Sequence, residues 1–166
     1  MRVPIRKGGK YTFLKPDPHL TAEKFSQLQQ ELERLTKIVQ PRAIIEVQRL
    51  AELGDFSENT AYQMAKGRLR GLNQRILDLQ DHLKRAIIFA KPLDSSVVSL
   101  GSQVTIEING RERTYQILGS SETDPAAGII SHNSPIGAAL IGRRVGETSR
   151  LRLAGKEVIC RIVQID

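Results

Sequence analysis

Apolar residues recur along the first half of the chain at steps of three and four. Phe25, Leu28, Leu32, Leu35 and Ile38/Val39 make one stripe, which resumes after Pro41 as Ile44, Val47 and Leu50/Ala51. Such spacing places the apolar side chains on one face of a helix. Thr21 stands where an N-cap belongs, and Pro41 should end or kink the helix it follows. A second stripe, Leu69, Leu72, Ile76, Leu79, Leu83 and Ala86/Ile87, alternates steps of three and four in the manner of a coiled-coil seam. Between the stripes lies Leu53-Gly54-Asp55-Phe56-Ser57-Glu58-Asn59. Gly54 can end the first helix in a left-handed C-cap, and Asp55 or Ser57 can cap the second. Two helices of about thirty residues, each ~45 Å long and joined by so short a turn, are expected to pack antiparallel, with residues 53–59 at their far end.

After Lys91-Pro92 the period changes to two. Val104, Ile106 and Ile108 alternate with Thr105 and Glu107, and Asn109-Gly110 is a two-residue hairpin signal that turns the chain back through Tyr115 and Ile117. Further strands are expected at 147–153 and 156–165. One short helix is predicted between them, with Ser134 as N-cap, Pro135 in the first helical position and Gly142 as terminator. The fold class is therefore α+β: an N-terminal antiparallel helical hairpin followed by a small, mostly antiparallel β domain with one helix. The expected domains are a basic extension over 1–18, the coiled coil over 19–90 and the β domain over 91–166.

Composition narrows the partners. Of the formal charge of +7 over 166 residues, the first twenty residues supply five basic groups against one acid. This excess suits a polyanion such as nucleic acid, and equally a basic protein that binds none. Cys160 is the single cysteine, so no intrachain disulfide is available. Its alternation with Val158 and Ile162 reads as core. No apolar run is long enough for a membrane helix or a signal peptide, which predicts a cytoplasmic protein without a membrane partner.

Asp55 and Glu58 flank the turn of the hairpin. Paired carboxylates there can contribute hard oxygen ligands to Mg²⁺, although two alone make a weak site, and the same residues serve equally as helix caps and dipole-matched acids. From Asn59 to Leu77 the chain carries no acid, whereas Lys66, Arg68, Arg70 and Arg75 are basic. Such a strip can guide an RNA strand or simply form a solvated helix face. Ser131, His132 and Ser134 lie close together without the glycine pattern of a nucleophile elbow, which argues against a hydrolase. His19, His82 and His132 lack ligand spacing and cysteine company, so the sequence gives no support for a zinc site.

Gly54-Asp55-Phe56-Ser57-Glu58-Asn59-Thr60-Ala61-Tyr62, set between two seam-patterned helices, resembles the tip signature of the Gre transcript cleavage factors. Ile130-Ser131-His132-Asn133-Ser134-Pro135-Ile136, followed by Ala139-Leu140-Ile141-Gly142-Arg143-Arg144-Val145-Gly146-Glu147, resembles the C-terminal signature of that family, and Pro41 falls where the family places a proline. The likeness covers about residues 19–166. It implies an FKBP-like β domain, though the scarcity of aromatics makes an isomerase pocket improbable. It further implies an accessory elongation factor rather than an enzyme, a monomer whose coiled coil enters the RNA polymerase secondary channel. There Asp55 and Glu58 would share a second Mg²⁺ with the polymerase and promote cleavage at the 3′ end of backtracked nascent RNA. Lys66, Arg68, Arg70 and Arg75 would face RNA. Asn133, Ser134 and Pro135 would contact the coiled coil of the polymerase β′ subunit, Ser134-Pro135 being also a plain helix start. Two other readings stand beside this one: a channel-binding inhibitor of the same build, and a coiled-coil RNA-binding module without a role in cleavage. Residues 1–18 and Ala154 depart from the family pattern, and Ser57 with the basic strip leans toward the GreB-like branch.

Overall fold

The computed structural model describes residues 15–52, 60–92, 94–153 and 156–166. The first part is a helical hairpin. After a short strand β1 (His19–Thr21), helix α1 runs over Ala22–Arg34, a π-helical segment over Leu35–Val39 and α2 over Gln40–Glu52; α3 (Thr60–Arg85) returns. Thr21 caps α1 as expected, its hydroxyl accepting the Lys24 N–H at 3.1 Å. Cross-helix partners run in opposite senses along the two arms. Arg75 meets Glu31 at 3.0 Å, and Asn73 meets Gln40 at 2.9 Å, so α3 packs antiparallel to α1–α2.

Pro41 does not end the helix. Its ring lacks an N–H and would crowd the carbonyl four residues back. The chain widens just before it, and Gln40 N–H reaches Leu35 O across five residues, a π turn that lets the helix continue. The seam follows this widening. Val39, Ala43 and Val47 are half-buried and Leu50 is buried, whereas Ile44 faces out, so the apolar file passes through Ala43 rather than Ile44. Opposite it lie Ala65, Ile76, Leu79 and His82, all buried.

The second helix stops at Arg85, short of the predicted end of its stripe. Ile87 belongs instead to strand β2 (Ile87–Phe89), which pairs parallel with β1 through His19–Ile87, Leu20–Ile88 and Thr21–Phe89. The two strands close the base of the hairpin, and fully buried Leu20 joins the helical core beside Leu28, Leu35, Ile76 and Leu79.

The C-terminal part is a five-stranded sheet in the order β5-β4-β3-β7-β6, formed by Gln103–Ile108 (β3), Arg111–Leu118 (β4), Ile129–Ser131 (β5), Thr148–Leu153 (β6) and Lys156–Ile165 (β7). Asn109 and Gly110 take positive φ (52° and 74°) and close the β3–β4 hairpin as their sequence demands. Most pairings are antiparallel, but β5 joins β4 in parallel, which the residue pattern did not predict. Strands β4 and β5 are linked by two 3₁₀ turns (Ser120–Glu122 and Pro125–Ala127), enough chain to return β5 in the same direction. Helix α4 (Pro135–Leu140) covers one face. Ser134 caps it by accepting the Gly137 N–H at 3.0 Å. Its Leu140 packs with Val104, Ile106, Ile117, Leu151 and Ile162 of the sheet, each 0–1% exposed. Cys160 lies in the same core, where burial raises its thiol pKa. No helix among the described residues is long and apolar enough to cross a membrane.

Candidate functional site

Asp55 and Glu58 lie outside the described residues. Among the described residues, α2 runs to Glu52, α3 starts at Thr60, and the two helices pack against each other. The next residues along α3 are basic. At about 100° per residue, Lys66 and Arg70 share one flank of α3, while Arg68 and Arg75 share the other. The strip read from sequence is therefore two pairs rather than one file. Lys66 and Arg70 line an open groove with Gln63, Asn73 and Leu77, and the Lys66 ammonium sits 5.8 Å from the centroid of the Tyr62 ring. Arg75 instead spans to α1, donating to Glu31 Oε1 through Nη2 at 3.0 Å. That pairing ties its guanidinium to the other arm of the hairpin at the exposed surface.

The second signature forms the loop between β5 and α4. Ser131 is buried and organises it: its hydroxyl accepts the Asn133 N–H at 3.0 Å and lies 2.7 Å from Ser120 Oγ, and its carbonyl accepts the Ser134 hydroxyl at 2.7 Å. Ser134 is thus occupied by the helix cap and the loop. Asn133 and Pro135 are exposed on the loop surface. Helix α4 lies so close that a Cβ on Gly137 would meet Ser131 O at 2.1 Å. The loop is held rigidly from both sides.

Between the two parts is a polar joint that residue spacing does not reveal. Asp17, placed by sequence in the extension, has a side chain only 6% exposed. One carboxylate oxygen accepts the His19 N–H at 3.1 Å and lies 2.9 Å from His19 Nδ1. The other accepts the Ser120 N–H at 2.8 Å and lies 3.4 Å from His132 Nδ1. Burial by itself would raise the Asp17 pKa. The Ser120 and His19 backbone donors, the His19 ring and the charge of His132 outweigh it and hold the acid at about 2. The His82 ring reaches the Asp17 carbonyl at 2.9 Å from the hairpin seam, and the Pro18 carbonyl accepts the Ile87 N–H at 2.7 Å. On the other side Glu122 accepts both the Thr21 N–H (2.7 Å) and the Thr21 hydroxyl (2.6 Å). The backbones approach so tightly that a Cβ on Gly119 would fall 2.0 Å from His19 O. The spacing of His19, His82 and His132 offers no ligand pattern because the fold, not the local sequence, brings them to one acid. The structure thus supplies the donor cluster Asp17–His19–His132 that sequence spacing did not support.

Comparison with known proteins fits this layout. Residues 19–88 match the family model described as the N-terminal domain of a transcription elongation factor, and residues 93–166 match the GreA/GreB C-terminal model. Transcription elongation factor GreA of Thermomicrobium roseum is 39% identical over 148 residues, covering 88% of this chain and 95% of that protein. The GreA of Geobacillus kaustophilus is 40% identical over 150 residues, covering 88% and 94%. These relatives bear the GreA name. The crystal structure of GreA factor homolog 1 of Thermus thermophilus shares 30% identity over 90% of this chain and 99% of that one. Its TM-score of 0.42 is too low to carry the fold, which rests on the strand register above. With both halves matched in order, the chain belongs to the GreA/GreB family of transcription elongation factors, accessory proteins of transcription rather than enzymes.

Proposed function

We propose that this chain enters the secondary channel of RNA polymerase and stimulates cleavage of backtracked RNA, with Asp55 and Glu58 presented at the turn of the hairpin. The observation that carries the reading is the sequence Gly54–Tyr62 at the junction of two antiparallel helices in a chain of this family. A slender helical arm has little reason for paired carboxylates at its end unless they act on something recessed. Asp55 and Glu58 offer hard oxygen donors, which suit Mg²⁺ and leave most of its coordination to be supplied elsewhere. A second Mg²⁺ shared with the polymerase would supply an activated water and neutralise charge on the phosphodiester. The part of this chain is to deliver and orient the two carboxylates.

The rest of the molecule serves that delivery. Asn133 and Pro135, exposed on a loop pinned by Ser131 and Ser134, are suited to contact the polymerase β′ coiled coil. Lys66 and Arg70 on one flank of α3, and Arg68 on the other, would meet the phosphates of the nascent RNA. Arg75, engaged with Glu31, would add least.

The test is RNA cleavage by a stalled, backtracked polymerase complex. Asp55→Asn and Glu58→Gln should each lower stimulation more than about 100-fold, exceeding the loss usual for an outer-shell partner of a metal, while leaving polymerase binding intact. Full stimulation by the double variant overturns the proposal. Slowed nucleotide addition without RNA shortening would identify an inhibitor of the channel instead. Tight, salt-sensitive binding to free RNA in the absence of polymerase would favour the RNA-binding module.

A further inference from the structure

All three histidines of the chain converge on Asp17. His19 and His132 address its carboxylate, and His82 addresses its backbone carbonyl. These residues come from the segment before the helical hairpin, from the β5–α4 loop and from the base of α3. We propose that Asp17, His19 and His132 bind one borderline divalent cation of the zinc class, through the Nδ1 atoms of both imidazoles and one Asp17 oxygen.

The spacing suits such an ion. Zinc ligands at about 2.0–2.2 Å in tetrahedral array lie about 3.3 Å from one another. His19 Nδ1 stands 2.9 Å from Asp17 Oδ1, and His132 Nδ1 stands 3.4 Å from Asp17 Oδ2. The full set of three donor atoms falls within 4.8 Å, so a small rotation of the half-exposed His19 ring would complete one face of the polyhedron. Two imidazole nitrogens and a carboxylate select zinc, nickel or cobalt over magnesium or calcium.

The surroundings are those of a prepared ligand. Each Asp17 oxygen already accepts a backbone N–H, from His19 and from Ser120, which fixes the carboxylate plane as an outer shell does around a metal. The acid is ionised throughout the neutral range. In the metal-free structure the His19 Nδ1–H donates to the carboxylate; to bind the ion each imidazole must be neutral with its proton on Nε2, which turns the Nδ1 lone pair toward the metal. His132 then gives up its 3.4 Å approach to the Leu118 carbonyl. The side chains of His19 and His132 are 35% and 21% exposed, leaving room for the ion to enter and for water to complete its coordination. A bound ion would staple the base of the hairpin to the β domain. This inference is independent of the chemistry proposed for the hairpin turn.

The test uses tag-free full-length protein and the metal alone. Titration with Zn²⁺ should give one site, with affinity falling at least about 100-fold in His19→Gln and in His132→Gln. Titration with Co²⁺ should give visible d–d bands of a low-coordinate site in the parent and neither variant. Folding of the variants is checked by circular dichroism. A measurement on the unaltered chain removes dependence on them: at saturating Zn²⁺, the ring ¹⁵N resonances should shift at Nδ1 of His19 and His132 but not at His82. Equal zinc affinity in the parent and both variants would overturn the proposal, as would unshifted Nδ1 resonances. Either result would leave the cluster a hydrogen-bonded latch.

Discussion

Along the helical hairpin the buried positions form a single file: Leu28, Leu35 and Leu50 on the outgoing arm face Ala65, Ile76 and Leu79 on the return, each still 3–8% exposed. Ile38 and Ile45 stand out in solvent at 47% and 63%. In the β domain, Val104, Ile106, Ile117, Leu140 and Ile162 are 0% exposed and surround one another between sheet and helix. The difference teaches where rigidity resides. A two-helix seam fixes direction and pitch but encloses little. The sheet and α4 enclose a core that holds the 131–135 loop in one conformation.

The widest test of that contrast removes one side chain from each core. Ile106→Ala should cost about 2–5 kcal/mol, toward the upper end because no solvent borders its cavity. Leu35→Ala should lie near about 2 kcal/mol, because the arm can settle around the loss. Denaturant unfolding monitored by amide exchange in each part would read both values, and equal costs would erase the distinction.

A smaller effect sharpens the comparison at the joint. In metal-free protein, Asp17→Asn should cost about 1.5–3 kcal/mol at neutral pH, the range for a charged acceptor losing its donors. The folded acid at about 2 lies below its ordinary 3.8, so the folded state holds the proton less tightly. Its stabilisation is therefore complete above about pH 4 and is lost as pH falls through about 2. A parent and an Asn variant whose stabilities respond alike over that acid window would refute this account. Smallest of all, Arg75→Ala should change stability by under about 1 kcal/mol, since its ion pair with Glu31 is largely in water. A thermal melt would show a larger loss if the pair carried the hairpin.

Much of this architecture is legible from residue type alone, because its determinants are local. Thr21, Asn109-Gly110 and Ser134-Pro135 specify cap, turn and helix start within a few residues, and the alternation of Val104 and Ile106 specifies a buried face. What escapes is set by distance along the chain. The β1–β2 pairing joins residues nearly seventy apart in sequence, and the parallel seat of β5 depends on two short turns without a periodic signal. Asp17 and His132 meet only once both parts are folded. The site followed the same division. The loop at Asn133–Pro135 could be placed from its own residues, whereas the partition of Lys66, Arg68, Arg70 and Arg75 between two flanks needed the phase of α3. Asp55 and Glu58 rest on sequence alone.

The widened turn before Pro41 has a consequence for aim. From Leu35 the inward positions advance by fours, to Val39, Ala43 and Val47, a drift of about 40° per step in an unbroken α-helix. One extra residue in the π turn takes up about 100° of that rotation and keeps the file pointed at α3. The insertion acts as a fixed torsional offset: forcing Leu35–Val39 into a regular α-helix with no residue removed would swing the azimuth of everything beyond it by roughly a quarter turn. Whatever the arm carries past Glu52 would arrive at the same depth facing the wrong way.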